Sequence, residues 1–243
     1  MLISPAMSTA LREARFPGPA GDHPAGDDDL DATGLRQAEA VREDFPRTAA
    51  VYVSPTRRCR RTARALGLTA DPLDGPAPDG LVPDGLAPCA MGHWQGRTLD
   101  EVAAAEPQSV AAWLSDPAAA PHGGESLLDF HVRVAQWLEA GGGLEAGSAD
   151  HRGDGDGGGD GADTGTDTGP GAAGSAGGPG RRIVVVAEPD IIRAATVHAV
   201  GAPPSAFWRI DVRPLSVTEL SGRNGRWNLL SGRPLTSHLS PEL

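Results

Sequence analysis

The sequence predicts an α/β protein built on a mostly parallel sheet, and three observations carry that reading. Ala50-Val51-Tyr52-Val53 and Arg181-Arg182-Ile183-Val184-Val185-Val186-Ala187 are short β-branched runs, the second continuous in the manner of a strand covered on both faces. Each run is followed by a proline, Pro55 or Pro189, and then by helical periodicity, which places a helix start just beyond a strand end. Between the runs, apolar residues recur at helical spacing, as at Leu35, Ala38, Val41 and Phe45.

Composition bounds the rest. The 243 residues allow one large domain or two small ones, and 39% hydrophobic content suffices for a core. Aromatics are only 4%, so Leu, Val and Ala must fill it. A net charge of -11 argues against nucleic acid or an anionic membrane as partner. No apolar run reaches the ~18 residues of a membrane span, and no basic segment precedes an apolar one in the manner of a signal peptide. Two cysteines are too few for a disulfide framework, so a cytoplasmic location is expected.

Taken in order, Met1-Leu2-Ile3 reads as a first strand ending at Ser4-Pro5. The Gly/Pro/Asp-rich stretch from Pro17 to Asp29, which carries His23, reads as a loop. A helix follows over about Thr33 to Asp44, with Arg42 and Glu43 on its solvated face. After the second strand, Ser54 is the expected N-cap and Pro55 the first helical residue, with Ala63, Leu66 and Leu68 as apolar positions. Arg57, Arg58, Arg60 and Arg61 cluster at that junction. Ligands of α/β sheets bind at the carboxyl edge, and helix N-termini favour anions, so a phosphate-handling site is indicated there. Thr69 to Pro88 shows no period and reads as a surface excursion.

Two helices, Leu99 to Glu106 and Pro107 to Leu114, are expected next, anchored by Trp113 and Leu114. Pro121-His122-Gly123-Gly124-Glu125-Ser126 precedes a helix that buries Phe130, Val134 and Leu138, with Arg133 beside that face. The two glycines permit positive φ and close backbone approach to a ligand. Glu139 to Gly180 is about two-fifths glycine without an aromatic residue, a composition that cannot bury enough to fold. Its eight acids face a single arginine, so most of the net charge lies there. Its alternating Gly and Asp lack the apolar position a calcium-binding β-roll needs, and a disordered acidic linker is expected instead. Glu188 to Arg193 follows the second β-branched run, and then a helix runs through Val197 to Val200. Trp208 to Val212, Leu215 to Leu220 and Arg226 to Leu229 read as three closing strands, Trp227 covers the sheet, and the tail from Ser231 frays.

The decamer Ser54-Pro55-Thr56-Arg57-Arg58-Cys59-Arg60-Arg61-Thr62-Ala63 resembles the S-P-x-x-R-x-x-x-T-A signature of the histidine phosphatase superfamily, the phosphoglycerate mutase-like fold. Further landmarks follow in the family's order. Arg12-Glu13-x-Arg15-Phe16-x-Gly18 resembles its R-F-x-G turn, and Leu30 to Ala38 its L-T-x-x-G-x-x-Q-A helix start. Leu86 to Gly96 is similar to L-x-E-x-x-x-G-x-W-x-G, Pro121 to Ser126 to P-x-G-G-E-S, and Gly201-Ala202-Pro203-Pro204 to the L-G-x-P turn. The resemblance implies a three-layer α/β/α sandwich. It forms a single domain from 1–138 and 182–243, into which the linker 139–181 is inserted.

The resemblance also implies a site. Arg58 takes the place of the phosphate-binding arginine, and Arg193 that of an arginine after the second histidine. Glu125 and Ser126 fall in the ligand-side P-x-G-G-E-S loop. The remaining positions depart from the family. Ser4 stands at the first arginine, Pro5 at the nucleophilic histidine, Met7 at an acid, Pro88 at the proton-donating glutamate and Glu188 at the second histidine. Proline cannot attack phosphorus, and a carboxylate at 188 repels a phosphate dianion.

The expectation is therefore a catalytically degenerate member, a pseudophosphatase, in which Arg58 and Glu188 form a partly buried ion pair. A phosphorylated small molecule or a protein is the expected partner, with no cofactor and no metal. The alternative is an active phosphomonoester phosphatase or mutase-like enzyme with a relocated nucleophile. His23, His93 and His122 are its histidine candidates, and they read more simply as a loop residue, a turn residue and a structural or surface residue. A cysteine phosphatase needs an arginine six residues beyond its thiolate, and Ala65 and Gln95 stand there after Cys59 and Cys89. Cys59 lies among arginines at a helix start, which favours a reactive thiol, although a small helix residue is the simpler role. A third class is a binding module whose acidic linker recruits a basic partner.

Overall fold

The computed structural model describes residues 1–17, 29–42, 50–68, 84–140, 183–223 and 225–231. The β-branched runs become Leu2–Ile3 (β1), Ala50–Val53 (β2) and Ile183–Val186 (β3), joined by Val217–Arg223 (β4) and Arg226–Leu230 (β5) in one sheet of order β2-β3-β1-β4-β5. β3 pairs in parallel with both β1 and β2, so that Val185 lies opposite Leu2 and Tyr52. β4 is antiparallel to β1 and to β5 and alone runs against the common direction.

Side chains alternate across each strand, and that alternation builds the layers. Leu2, Tyr52 and Val185 face one helical layer, where they pack with Phe130 and Trp137 of Leu127–Glu139 (α6) and Ile191 of Pro189–Ala199 (α7). Ile3, Val51, Val53, Val184 and Val186 face the other, against Ala38 of Ala32–Ala40 (α2) and Cys59 and Ala63 of Arg57–Ala65 (α3). The result is the expected three-layer α/β/α sandwich. The short helix Thr9–Arg12 (α1) follows β1. Leu99–Ala105 (α4) and Pro107–Ser115 (α5) build a third cluster around the fully buried Trp94 with Met91, Val102 and Val110.

Local chemistry sets the helix starts. Asp31 caps α2 through the Gly34 N–H at 2.6 Å, Thr98 and Glu101 form a capping box on α4, and Ser126 caps α6 through the Asp129 N–H. Gly34 is required where α2 crosses the loop after β1, because a Cβ there would sit 2.3 Å from the Met7 carbonyl oxygen.

Several expectations are corrected. Thr56, not Ser54, caps α3, which begins at Arg57 rather than Pro55, because the Ser54 hydroxyl donates instead to the Leu86 carbonyl at 2.8 Å. Asp84–Leu86, inside the expected excursion, is a 3-10 turn that buries Leu86 in the core. Leu114 is 47% exposed, so Val110 rather than Leu114 anchors α5. Trp208 belongs to the 3-10 helix Pro204–Arg209 and not to a strand, since consecutive prolines set a helical start and the ring packs edge to face on Trp113 at 4.4 Å. Glu139 ends α6 and accepts hydrogen bonds from His198, Trp227 and the Gly225 N–H, so it belongs to the folded part rather than the linker. The linker from 141 to 181, His23, Phe45 and the tail from 232 onward lie outside the described residues.

Candidate functional site

Three parallel strands deliver three chain segments to one carboxyl edge: Ser4-Pro5 after β1, Ser54 to Arg58 after β2, and Ala187 to Asp190 after β3. At that edge the Arg58 guanidinium and the Glu188 carboxylate form a two-pronged ion pair. Nε donates to Oε1 at 2.8 Å and to Oε2 at 2.9 Å, and Nη2 donates to Oε2. The two side chains are 8% and 1% exposed, so the pair is fully rather than partly buried. The Thr56 hydroxyl, at 2.5 Å, and the Cys59 thiol, at 3.3 Å, also donate to Glu188 Oε1. Both oxygens of that carboxylate have partners from α3 or its cap.

The electrostatics follow from this wiring. Burial alone would raise the Glu188 carboxyl, but the Arg58 charge and the hydrogen bonds from Arg58, Thr56 and Cys59 outweigh it and hold it below the usual carboxylate range. Burial and the Glu188 charge push the Cys59 thiol well up, against the depressed value that its arginine neighbours suggested. Asp190, two residues beyond Glu188, accepts from the Cys89 N–H at 2.9 Å and its neighbour's N–H at 2.8 Å. Burial, then the Glu188 charge, nevertheless push its carboxyl up to about 6. Sequence reading missed Asp190. An acid in the first turn of a helix looks like ordinary dipole compensation, and the approach of Cys89 from a segment 101 residues away is a tertiary fact.

Arg58, Glu188, Asp190 and Arg193 together line a cavity of about 180 Å³. The rest of its wall is apolar, and Phe16, Met91, Trp113, Phe130, Phe207 and Trp208 contribute most of it. Arg193 donates through Nε to the Ile210 carbonyl at 2.8 Å, and its guanidinium lies 5.6 Å from the centre of the Phe207 ring.

The other predicted positions stand outside this lining. Ser4 is wholly buried, and its hydroxyl serves the segment before β4, donating to the Arg213 carbonyl at 2.5 Å and accepting from the Ser216 N–H at 3.0 Å. Pro5 is buried, and its carbonyl accepts from the Leu215 N–H at 3.2 Å. Pro88 is half-buried beside Cys89. Glu125 is held by Arg133 through two bonds, at 2.8 and 2.7 Å, while Ser126 caps α6. Gly123 adopts positive φ, but the close backbone approach at Gly124 is to the Ala90 carbonyl rather than to a ligand, since a Cβ would sit 1.9 Å from that oxygen.

The candidate histidines among the described residues also lie off the cavity. His93 bonds to the His122 carbonyl at 2.7 Å and to Glu106 at 3.1 Å. His122 is buried against Trp94 at 5.1 Å, and its Nδ1 accepts from the Gly124 N–H.

The fold and the ordered landmarks define a family, and the chain belongs to it: a profile of the histidine phosphatase superfamily (branch 1) matches residues 21–150 and 174–233. Among proteins, it is 35% identical over 127 residues to the glucosyl-3-phosphoglycerate phosphatase of Mycolicibacterium vanbaalenii, a match covering 51% of this chain and about half, 54%, of that relative. Among solved structures, it resembles mycobacterial hydrolase 1 (TM-score 0.65, 24% identity, 95% of both chains). A mycobacterial glucosyl-3-phosphoglycerate phosphatase in complex with VO3 is similar (TM-score 0.62, 23% identity, 94% of both chains). So is the alpha-ribazole phosphatase of Shigella flexneri (TM-score 0.63, 17% identity, 94% of this chain and 93% of that one). At these identities the structural likeness establishes the fold alone. No helix among the described residues is long and apolar enough to cross a membrane.

Proposed function

We propose that this histidine-phosphatase-fold protein is catalytically degenerate, with a binding role in place of phosphoryl transfer. One observation carries the reading. The carboxylate of Glu188 sits on the guanidinium of Arg58, where a phosphate would have to sit, and takes its hydrogen bonds from Arg58, Thr56 and Cys59. A phosphate dianion arriving there displaces a buried, satisfied carboxylate and then faces it together with Asp190. Among the described residues no histidine lines the cavity, and Pro5 stands two residues beyond the end of β1. The thiols of Cys59 and Cys89 are both raised by burial, which opposes thiolate chemistry.

The kinship with a protein named glucosyl-3-phosphoglycerate phosphatase favours the second reading, an active phosphomonoesterase whose nucleophile has moved. A phosphomonoester assay on the purified full chain, with Arg58→Ala as control, separates the two. The degenerate reading expects no turnover above background in either protein. Turnover that is present in the wild type and abolished by Arg58→Ala overturns it. A single-domain organisation with 141–181 as an inserted acidic segment is part of the same proposal, as are a cytoplasmic setting and the absence of nucleic-acid and membrane partners.

A further inference from the structure

We propose that the cavity beside the Arg58–Glu188 pair is a binding site for a small apolar monocarboxylate, a single ring or short hydrocarbon body carrying one carboxylate that pairs with Arg193. This rests on the reading that the phosphoryl site is closed, and it names the ligand class that the remaining space accepts.

The first argument is the wall. Phe16, Met91, Trp113, Phe130, Phe207 and Trp208 surround about 180 Å³ of space. A cavity of roughly 150 Å³ has room for benzene, so the space here admits a ring bearing one substituent. Ligand sites of this kind combine an apolar wall with a few placed polar groups that fix orientation.

The second argument is charge. Of the two cations in the lining, Arg58 is spent on Glu188. Arg193 gives only Nε to the Ile210 carbonyl, and its two terminal nitrogens have no hydrogen-bond partner among the described residues. Its guanidinium is held against the Phe207 ring, which fixes the fork at the cavity wall. A guanidinium fork matches a carboxylate in two-pronged geometry.

The third argument is exclusion. The lining carries Arg58 and Arg193 against Glu188 and Asp190, so it has no net charge with all four ionised. One negative charge on a ligand is met by Arg193. The second charge of a phosphate monoester finds only carboxylates. The site therefore separates a monoanion from a dianion built on the same ring.

Isothermal titration of the full-length protein with phenylacetate, phenyl phosphate and benzyl alcohol tests this without any variant. Phenylacetate is expected to bind at least about tenfold more tightly than either other probe, the worth of one charge-assisted pair. Arg193→Met is expected to reduce phenylacetate affinity to the level of benzyl alcohol, and Leu11→Trp, which puts a larger side chain into the cavity that Leu11 also lines, to abolish binding of both. Phenyl phosphate binding as tight as phenylacetate, no phenylacetate binding at millimolar concentration, or affinity indifferent to Arg193→Met overturns the proposal. Phenol release from phenyl phosphate in the same samples would instead strike the closed-site reading and this proposal together. Absence of phenylacetate binding without phenol release strikes this one alone.

Discussion

Two arginine–carboxylate pairs in this molecule have the same two-pronged chemistry and opposite settings. Arg58 and Glu188 join the ends of β2 and β3 across 130 residues of sequence, at 8% and 1% exposure. Arg133 and Glu125 lie eight residues apart around the start of α6, at 21% and 17% exposure, and Arg133 also reaches the Ala87 carbonyl. The first ties two strand ends together at the carboxyl edge of the sheet, and the second staples a loop to the helix it precedes. Water can still reach the second pair when one partner is lost. The first is shielded far more, and that difference sets the cost of breaking each.

The largest effect is expected from Arg58→Ala, which leaves the Glu188 carboxylate buried without its cation. Loss of about 3–5 kcal/mol is expected in urea unfolding. Replacing both residues, as Arg58→Leu with Glu188→Leu, should recover most of it, because two buried charges and their desolvation disappear together. A double variant no more stable than Arg58→Ala would mean that the pair is not what makes the single change costly.

Asp190 should show the next largest effect, visible only as a function of pH. Its carboxyl is raised from 3.8 to about 6. Between those values the native state holds a proton that the unfolded chain has released, so stability falls as pH rises through that window, by up to about 3 kcal/mol. Glu188 works in the opposite direction. Its depressed value contributes stability that is present above the unfolded range and lost as pH falls through the folded value. Melting temperature should therefore peak in mildly acid solution, and Asp190→Asn should flatten the decline on the alkaline side of that peak. An unchanged pH profile in Asp190→Asn would remove Asp190 as its source.

Arg133→Ala should cost less than Arg58→Ala, about 1–2 kcal/mol, since solvent screens what remains of Glu125. Chemical denaturation of the two single variants side by side checks the order. An Arg133→Ala loss equal to that of Arg58→Ala would show that burial does not separate the pairs.

What the chain discloses by itself has the same division. Val51 to Val53 and Val184 to Val186 declare β2 and β3 by local composition, and Gly34, Arg58 and Ser126 fall where local motifs place them. The pairing of Arg58 with Glu188 was readable only through the family resemblance, which puts both at one site, and the sheet realises it by setting β2 beside β3. The misreadings arose where a distant partner decided the outcome. Ser54 leaves its capping role for the Leu86 carbonyl, Trp208 leaves the strand pattern for a ring on α5, and Asp190 acquires its raised carboxyl from burial that no short window of sequence reveals.

Cys59 brings that division to a single side chain and to the smallest effect, one on reactivity rather than stability. Its sequence neighbours are Arg57, Arg58, Arg60 and Arg61, which suggest a stabilised thiolate. In the fold, Arg57, Arg60 and Arg61 are exposed, with Arg57 and Arg61 paired to Asp29 and Arg60 bonded to the Pro55 carbonyl, so their charges act at the surface. The one arginine turned inward is neutralised by Glu188, whose carboxylate lies 3.3 Å from the sulfur and opposes a second negative charge. Burial adds to that repulsion, and the same two causes, with Asp190 and Glu125 as the acids, raise Cys89. At pH 8 a disulfide reagent should modify neither thiol over the time that it titrates both in denaturant. Glu188→Gln should speed labelling of Cys59 far more than that of Cys89. Rapid labelling of Cys59 in the native wild type would mean that the surface arginines, and not the buried carboxylate, set the local potential.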